Sequence, residues 1–224
     1  MHVSNRKLAL AGIAGTVTYA IADLFLYIGA DMLNEDRTKL LSIPEWRLMA
    51  SMWIAALGSL LMLMGYISLA RLFAKAFPKT GKYLILPALI CYGGIMYMHF
   101  TLGVYEPLTY VSAMKAGIPN KQIQELLTNS MNYLNPLTMT LVVLGYSTQI
   151  VLITGILTGR FNLRKRTAAY IYGGAAAVIL AVILISKLTG EWGFTGSLES
   201  LFEMTFFLPG YLHFTKLEKE NPTQ

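Results

Sequence analysis

Six stretches of this chain are each long and apolar enough to cross a bilayer, and few folds accommodate that. A membrane-spanning helix needs about 20 mostly apolar residues. The stretches run roughly over 8–30, 48–70, 83–105, 137–159, 168–187 and 197–215. Charged residues make up only 13% of the 224 positions, against 55% hydrophobic. A soluble domain carries about 25% charged residues. Backbone in hydrocarbon must satisfy its own hydrogen bonds, so the expected fold class is all-α. The expectation is one transmembrane domain over 1–224, an integral bundle of six helices. Glu199, Glu203 and Pro209 interrupt the sixth stretch, yet Phe202, Phe206, Phe207, Tyr211 and Phe214 favour its insertion.

The net charge of +6 does not point to nucleic acid, because the basic residues sit in short connections between apolar runs. Arg6 and Lys7 precede the first run, and Arg71, Lys75, Lys79 and Lys82 follow the second. Arg160, Arg164, Lys165 and Arg166 follow the fourth, and Lys216 and Lys219 close the sixth. The intervening connections are poorer in basic residues, and Asp31, Glu35, Asp36 and Glu45 make the first of them acidic. By the positive-inside rule both termini are cytoplasmic, in a multi-pass protein of the cell (inner) membrane. Ala20-Ile21-Ala22 resembles a signal-peptidase site, but the apolar run continues to Ile28, too long for a signal h-region. The first span is therefore expected to stay uncleaved. Trp46 and Trp192 suit an interfacial aromatic belt. A lone cysteine, Cys91, excludes an internal disulfide framework.

Pro107 is expected to end the third helix, since proline lacks an amide donor and disfavours helix before it. Beyond Gly117 and Pro119, Ile123, Leu126, Leu127, Met131 and Leu134 recur at helical spacing. That spacing predicts a short amphipathic helix near 120–134 on the outer surface, either a lid or a passive connector.

Asp23, His99 and Glu203 lie inside the apolar stretches. A charge at mid-span costs about 2.5–3.5 kcal/mol, so three left unpaired would cost about 8–10 kcal/mol together. Intramembrane ionisable groups therefore tend to have a use. At about 1.5 Å per residue, Asp23, His99 and Glu203 sit roughly 6, 7 and 5 Å outward of their helix centres. If their faces converge, they form a polar pocket open to the outside. Thr16, Tyr19, Asp23 and Tyr27 share one face of the first helix. Tyr92, His99 and Glu106 are spaced two turns apart in the third; Glu199 and Glu203 share a face in the sixth, and Gln149 lies near mid-depth in the fourth. Asp23, His99 and Glu203 are the acid–base or proton-relay candidates, and Tyr27, Tyr92, Glu106, Gln149 and Glu199 the ligand-binding ones.

A zinc hydrolase site needs three protein ligands, commonly several histidines, and only His99 lies at this depth. No Gly-rich phosphate loop, nucleophile elbow or paired-cysteine motif appears, so no metal and no cofactor is expected. The leading expectation is a protein that binds a small or amphiphilic ligand, with membrane lipid as its surroundings and acid–base chemistry available. Proton-coupled transport through the same groups is the alternative. A structural subunit, with the three groups as glue between helices, is the second.

Ala22-Asp-Leu-Phe-Leu-Tyr27 resembles a Gly-Asp-aliphatic-aliphatic-Tyr pattern found in a family of uncharacterised bacterial multi-pass membrane proteins of about this length. Trp46-Arg47-Leu48, Gly94 followed by His99, and an acidic or amide residue before Phe206-Phe207 are similar to later features of that family. Glu203 stands where the family pattern carries an amide. The resemblance implies a bacterial or archaeal integral membrane protein and no particular activity.

Overall fold

A computed structural model describes residues 4–28, 41, 43–190 and 197–220, and among them there is helix and no strand. Asp31, Glu35, Asp36 and Trp192 lie outside the described residues, as do the side chains of Tyr27, Met131 and Glu199. The helices are α1 (Asn5–Tyr27), α2 (Glu45–Ala76), α3 (Gly81–Leu84), α4 (Leu86–Met98), α5 (Glu106–Lys115), α6 (Asn120–Leu157), α7 (Arg166–Thr189) and α8 (Leu198–Glu220). A π-helical segment, His99–Tyr105, joins α4 to α5. Five stretches are long and apolar enough to cross a membrane: Asn5–Leu26, Glu45–Ala76, Gly81–Lys115, Asn120–Leu157 and Arg166–Thr189. Trp53, Leu57, Leu60, Val143, Leu180 and Leu188 all point outward. A water-facing surface of that kind would be an aggregation liability, whereas a lipid-facing one is ordinary.

α1 and α2 form the most extensive helix pair, with α8 against α1 next. They run antiparallel, and glycine makes their contact close. A Cβ on Gly65 would lie 2.5 Å from Gly12 Cα, and one on Gly15 would lie 2.6 Å from Met62 N. Ser51, Ala55, Gly58, Met62, Gly65, Leu69, Leu72 and Ala76 alternate by four and three along α2 and are all buried. Small residues on such a seam let backbones approach where lipid supplies no hydrophobic drive for association. Phe207 of α8 packs across both Gly12 and Gly65, so the same glycines seat the third helix. The main core joins these helices through Tyr66, Phe73, Phe161, Phe206, Phe207 and Phe214.

The basic connections gather at one end of the molecule. Arg6 pairs with Glu218 at 3.0 Å, which puts the start of α1 beside the end of α8. Arg71 reaches Asn5, Arg160 donates to Ala76 O, and Lys216 donates to Asn162. His213 Nδ1 donates to Phe161 O at 2.5 Å and fastens the loop after α6 to α8. At the opposite end Arg47 closes α1, donating to Phe25 O at 2.5 Å and to Ile28 O. A cation on the last carbonyls of a helix also complements its dipole. Trp46 beside it is exposed and meets Phe25 edge-on.

Two local expectations are corrected. Pro107 does not end the third helix; it sits in the first turn of α5, and helix continues to Lys115. Its ring would clash with the carbonyl four residues back, that of Gly103. The π turn just before it widens that stretch, with the Glu106 amide bonding to Thr101 O. Nor is 120–134 a separate surface helix: α6 runs unbroken from Asn120 to Leu157 with Pro136 inside it. Pro136 frees only the carbonyl of Asn132, and both residues are exposed. Ile123 and Leu127 are buried with Leu26, Ile43, Leu48, Tyr110 and Val111 in a second, smaller cluster.

Gly65→Leu is expected to destabilise the protein by at least the ~1–3 kcal/mol typical of overpacking, because the clash is with backbone. Thermal unfolding in detergent measures it, and Gly93→Ala, whose Cβ would meet nothing within 4 Å, is expected to leave the midpoint unchanged.

Candidate functional site

Four side chains from four elements meet near the end of the bundle remote from the basic connections. Asp23 stands four residues before the end of α1, Ser51 is in the second turn of α2, His99 opens the π segment, and Ser200 is in the first turn of α8. All four are buried. His99 Nδ1 lies 3.0 Å from Asp23 Oδ1, and Nε2 lies 3.3 Å from Ser51 Oγ. Ser200 Oγ donates to the other carboxylate oxygen, Asp23 Oδ2. Ser51 Oγ donates to Ala22 O at 2.8 Å.

Donor counting assigns the ring protons. Ser51 has one hydroxyl proton, and giving it to Ala22 O leaves its oxygen to accept from His99 Nε2. Nδ1 faces the Asp23 carboxyl, and a single proton bridges the two. The Ser–His–Asp order copies that of a hydrolase triad, but the roles differ. Ser51 is fully buried and its proton is already committed to Ala22 O, so no nucleophile is poised for attack. The Tyr19 ring stands edge-on to His99, 4.8 Å between centroids, and fixes its plane. Above the pair, Leu26 and Leu48 belong to the second apolar cluster. A Cβ on Gly103 would meet Leu26 at 2.6 Å, so glycine lets the π turn close over His99.

Glu203 is not among these hydrogen-bonded partners. It lies one turn beyond Ser200, about 4.5 Å along α8 toward the basic end. It is 2% exposed, and Tyr66 and Tyr92 lie close enough to interact with it electrostatically. It contributes to the wall of a cavity of about 410 Å³ between α4, α6, α7 and α8. Cys91, Leu141, Gly145, Tyr146, Phe202 and Phe206 are among the other wall residues. Neither Asp23 nor His99 lines it. A second cavity, about 560 Å³, runs between α7 and α8 with an almost wholly apolar lining.

The remaining candidates are placed as follows. Tyr92 OH donates to Ser59 O at 2.7 Å, one face along from His99 and Ser51. Gln149 Nε2 donates to Thr205 Oγ1 at 2.6 Å, which ties α6 to α8. Glu106 follows the π turn, where seven residues no longer complete two α turns, and it shares the buried face of α5 with Tyr110. The side chains of Tyr27 and Glu199 fall outside the described residues. Among the described residues, no three His, Cys, Asp or Glu side chains gather closely enough to share a metal ion. Ser51 and Ser200 are neutral hydroxyls, so no intramembrane charge marks them in the sequence. The signal for Ser51 was its place on the small-residue seam of α2; Ser200 carried none beyond its distance of one turn from Glu203.

The fold is that of a helical protein with several helices long and apolar enough to span a membrane. The chain then belongs to a family of unknown function (DUF6796), which matches residues 1–216. No curated protein and no solved structure matches it.

Removing one member of a buried ion pair leaves the other uncompensated, at a cost of about 3–5 kcal/mol. Asp23→Asn and His99→Leu are each expected to destabilise by that order, and the double variant by clearly less than the sum. A double-mutant cycle of thermal unfolding in detergent reads this, and additive costs would show that the two groups do not interact.

Proposed function

We propose that this protein holds a small amphiphilic ligand within the membrane, in the cavity walled by Glu203. The observation that carries the reading is a buried carboxylate set in the wall of an otherwise largely apolar cavity of ligand size. The Asp23–His99–Ser51–Ser200 network then serves as the frame. It ties α1, α2, the π segment and the head of α8 together one turn above Glu203. Glue of this kind is a recognised use of polar side chains between membrane helices. We further propose one transmembrane domain over 1–224, with α8 as a sixth span in a bacterial inner membrane. The basic end faces the cytoplasm, which leaves Glu203 and the Asp23 network in the outer leaflet. α8 is less apolar than the other spans because protein surrounds it: Ser200, Glu203, Thr205, Phe206, Phe207 and His213 are all buried. Proton-coupled transport is the second reading, favoured by a carboxylate–imidazole pair next to a second buried carboxylate.

Val142 lines the cavity and is 40% exposed, so Val142→Trp can fill it without disturbing the core. Native mass spectrometry of wild-type protein is expected to show a retained amphiphile that this variant lacks at unchanged thermal stability. The same adduct on both would sink the reading. Transport predicts pH-dependent uptake into proteoliposomes, and uptake that is flat with pH removes it. For orientation, Lys79→Cys and Ile118→Cys are exposed at opposite ends. An impermeant maleimide added to whole cells is expected to label position 118 and spare position 79; the reverse pattern inverts the topology.

A further inference from the structure

The larger cavity, about 560 Å³, is a groove between α7 and α8 of a size that takes a ligand. α7 is the most apolar of the candidate spans and the least buried, so in a membrane the groove opens to lipid. On α7 its wall runs from Thr167 to Ile179, about 18 Å at the helical rise, against about 15 Å for one leaflet of a hydrocarbon core. Ile179 and Leu198 also border the smaller cavity and mark the end remote from the basic connections. No charged side chain is among the described wall residues. Thr205, part-way along, gives its proton to Phe202 O and accepts from Gln149. The other two wall hydroxyls, those of Thr167 and Tyr170, stand at the opposite end, beside the basic connection between α6 and α7.

Arg164, Lys165 and Arg166 crowd that end. Arg166 directly precedes Thr167 and lies one turn from Tyr170, on the same helix face. All three cations are exposed, and among the described residues no carboxylate pairs with them. Glu218 and Glu220, the acids near the end of α8, are engaged by Arg6 and Lys216. Across the groove, Lys216 follows Leu212 by one turn but is also held by Asn162. We infer that the groove binds an anionic phospholipid, with one acyl chain between α7 and α8 and the phosphate at Arg164, Lys165 and Arg166. The site is separate from the cavity walled by Glu203 and does not depend on what that cavity holds. The chain meets an apolar wall of about one leaflet's depth. The phosphate meets guanidinium groups that bind it through paired N–H donors. Thr167 and Tyr170 come level with the ester oxygens, a depth where tyrosine is common in membrane proteins. Cations close to a membrane surface each attract anionic lipid, whereas a choline head brings its own cation and gains less. Topology requires only that these cations lie in the connection; it does not put them at the mouth of a groove.

The test uses the full chain, stripped of lipid in maltoside micelles and titrated with dioleoyl phosphatidylglycerol or dioleoyl phosphatidylcholine. Native mass spectrometry reads the affinity for the first bound lipid. Wild type is expected to bind phosphatidylglycerol at least about tenfold more tightly than phosphatidylcholine. The triple variant Arg164→Gln, Lys165→Gln, Arg166→Gln is expected to lose that preference. Lys75→Gln, Lys79→Gln, Lys82→Gln removes the same charge from around the α2–α3 connection, which does not line the groove, and is expected to keep it. Gly174→Trp fills the groove and is expected to weaken phosphatidylglycerol about tenfold. A Cβ at Gly174 meets nothing within 4 Å, so this variant is expected to fold. Gly174 lines the groove and not the cavity walled by Glu203, and Val142 the reverse, so different variants read the two sites. Equal affinity of wild type for the two lipids overturns the anionic class. Equal losses from the two triple variants mean a diffuse attraction over the whole basic end and overturn the site. Unchanged binding by Gly174→Trp overturns the groove.

Discussion

The close approach of α1 and α2 is the contact on which the other helices depend. Lipid is as apolar as leucine, so two helices gain nothing by merely hiding apolar surface from it. They associate through packing, and packing is best where backbones touch. Gly12, Gly15, Gly58 and Gly65 remove the side chains that would hold the two backbones apart. Phe207 fills the groove that results and brings α8 with it. With α8 seated antiparallel to α1, Ser200 comes level with Asp23, and Arg6 comes level with Glu218 at the other end.

Proline chemistry decides where the histidine goes. Pro107 is compatible with continued helix because the turn before it opens into π geometry, and that turn begins at His99. α4 and the first residue of the π segment present Tyr92 and His99 to Ser59 and Ser51 of α2, two turns apart. Past the π turn the phase changes, and the buried face of α5 instead builds the apolar cluster that covers the pair. The polar network is thereby sealed at the end remote from the basic connections. Glu203 lies one turn further along α8, and its surroundings are cavity and aromatic rings.

Much of this was legible in the residues, and the reasons differ by element. The apolar runs announced α1, α2, α6 and α7, because a bilayer imposes length and composition on anything that spans it. The alternation of basic connections announced their gathering at one end, and Arg6–Glu218 and Arg160–Ala76 now tie that end together. Asp23 and His99 stood out because ionisable groups are rare in such runs, and they do pair. Ser51 and Ser200 were silent, since a serine in a membrane helix is ordinary until its neighbour is known. The continuity of α6 through Pro136 and of the third helix through Pro107 was hidden for a similar reason. Proline's local cost can be met by solvent or by a wider turn, and neither can be read from spacing.

The sequence alone determined that this is a helical chain with membrane-length apolar segments and ionisable groups inside them, because those are properties of single helices. The tertiary structure decided how the groups are shared out: Asp23 with His99 in a sealed network, Glu203 in a cavity wall. Helix spacing assigns a residue to a face, but which neighbour that face meets depends on the rotation of each helix. Backbone contact at four glycines and one wide turn before a proline set those rotations here.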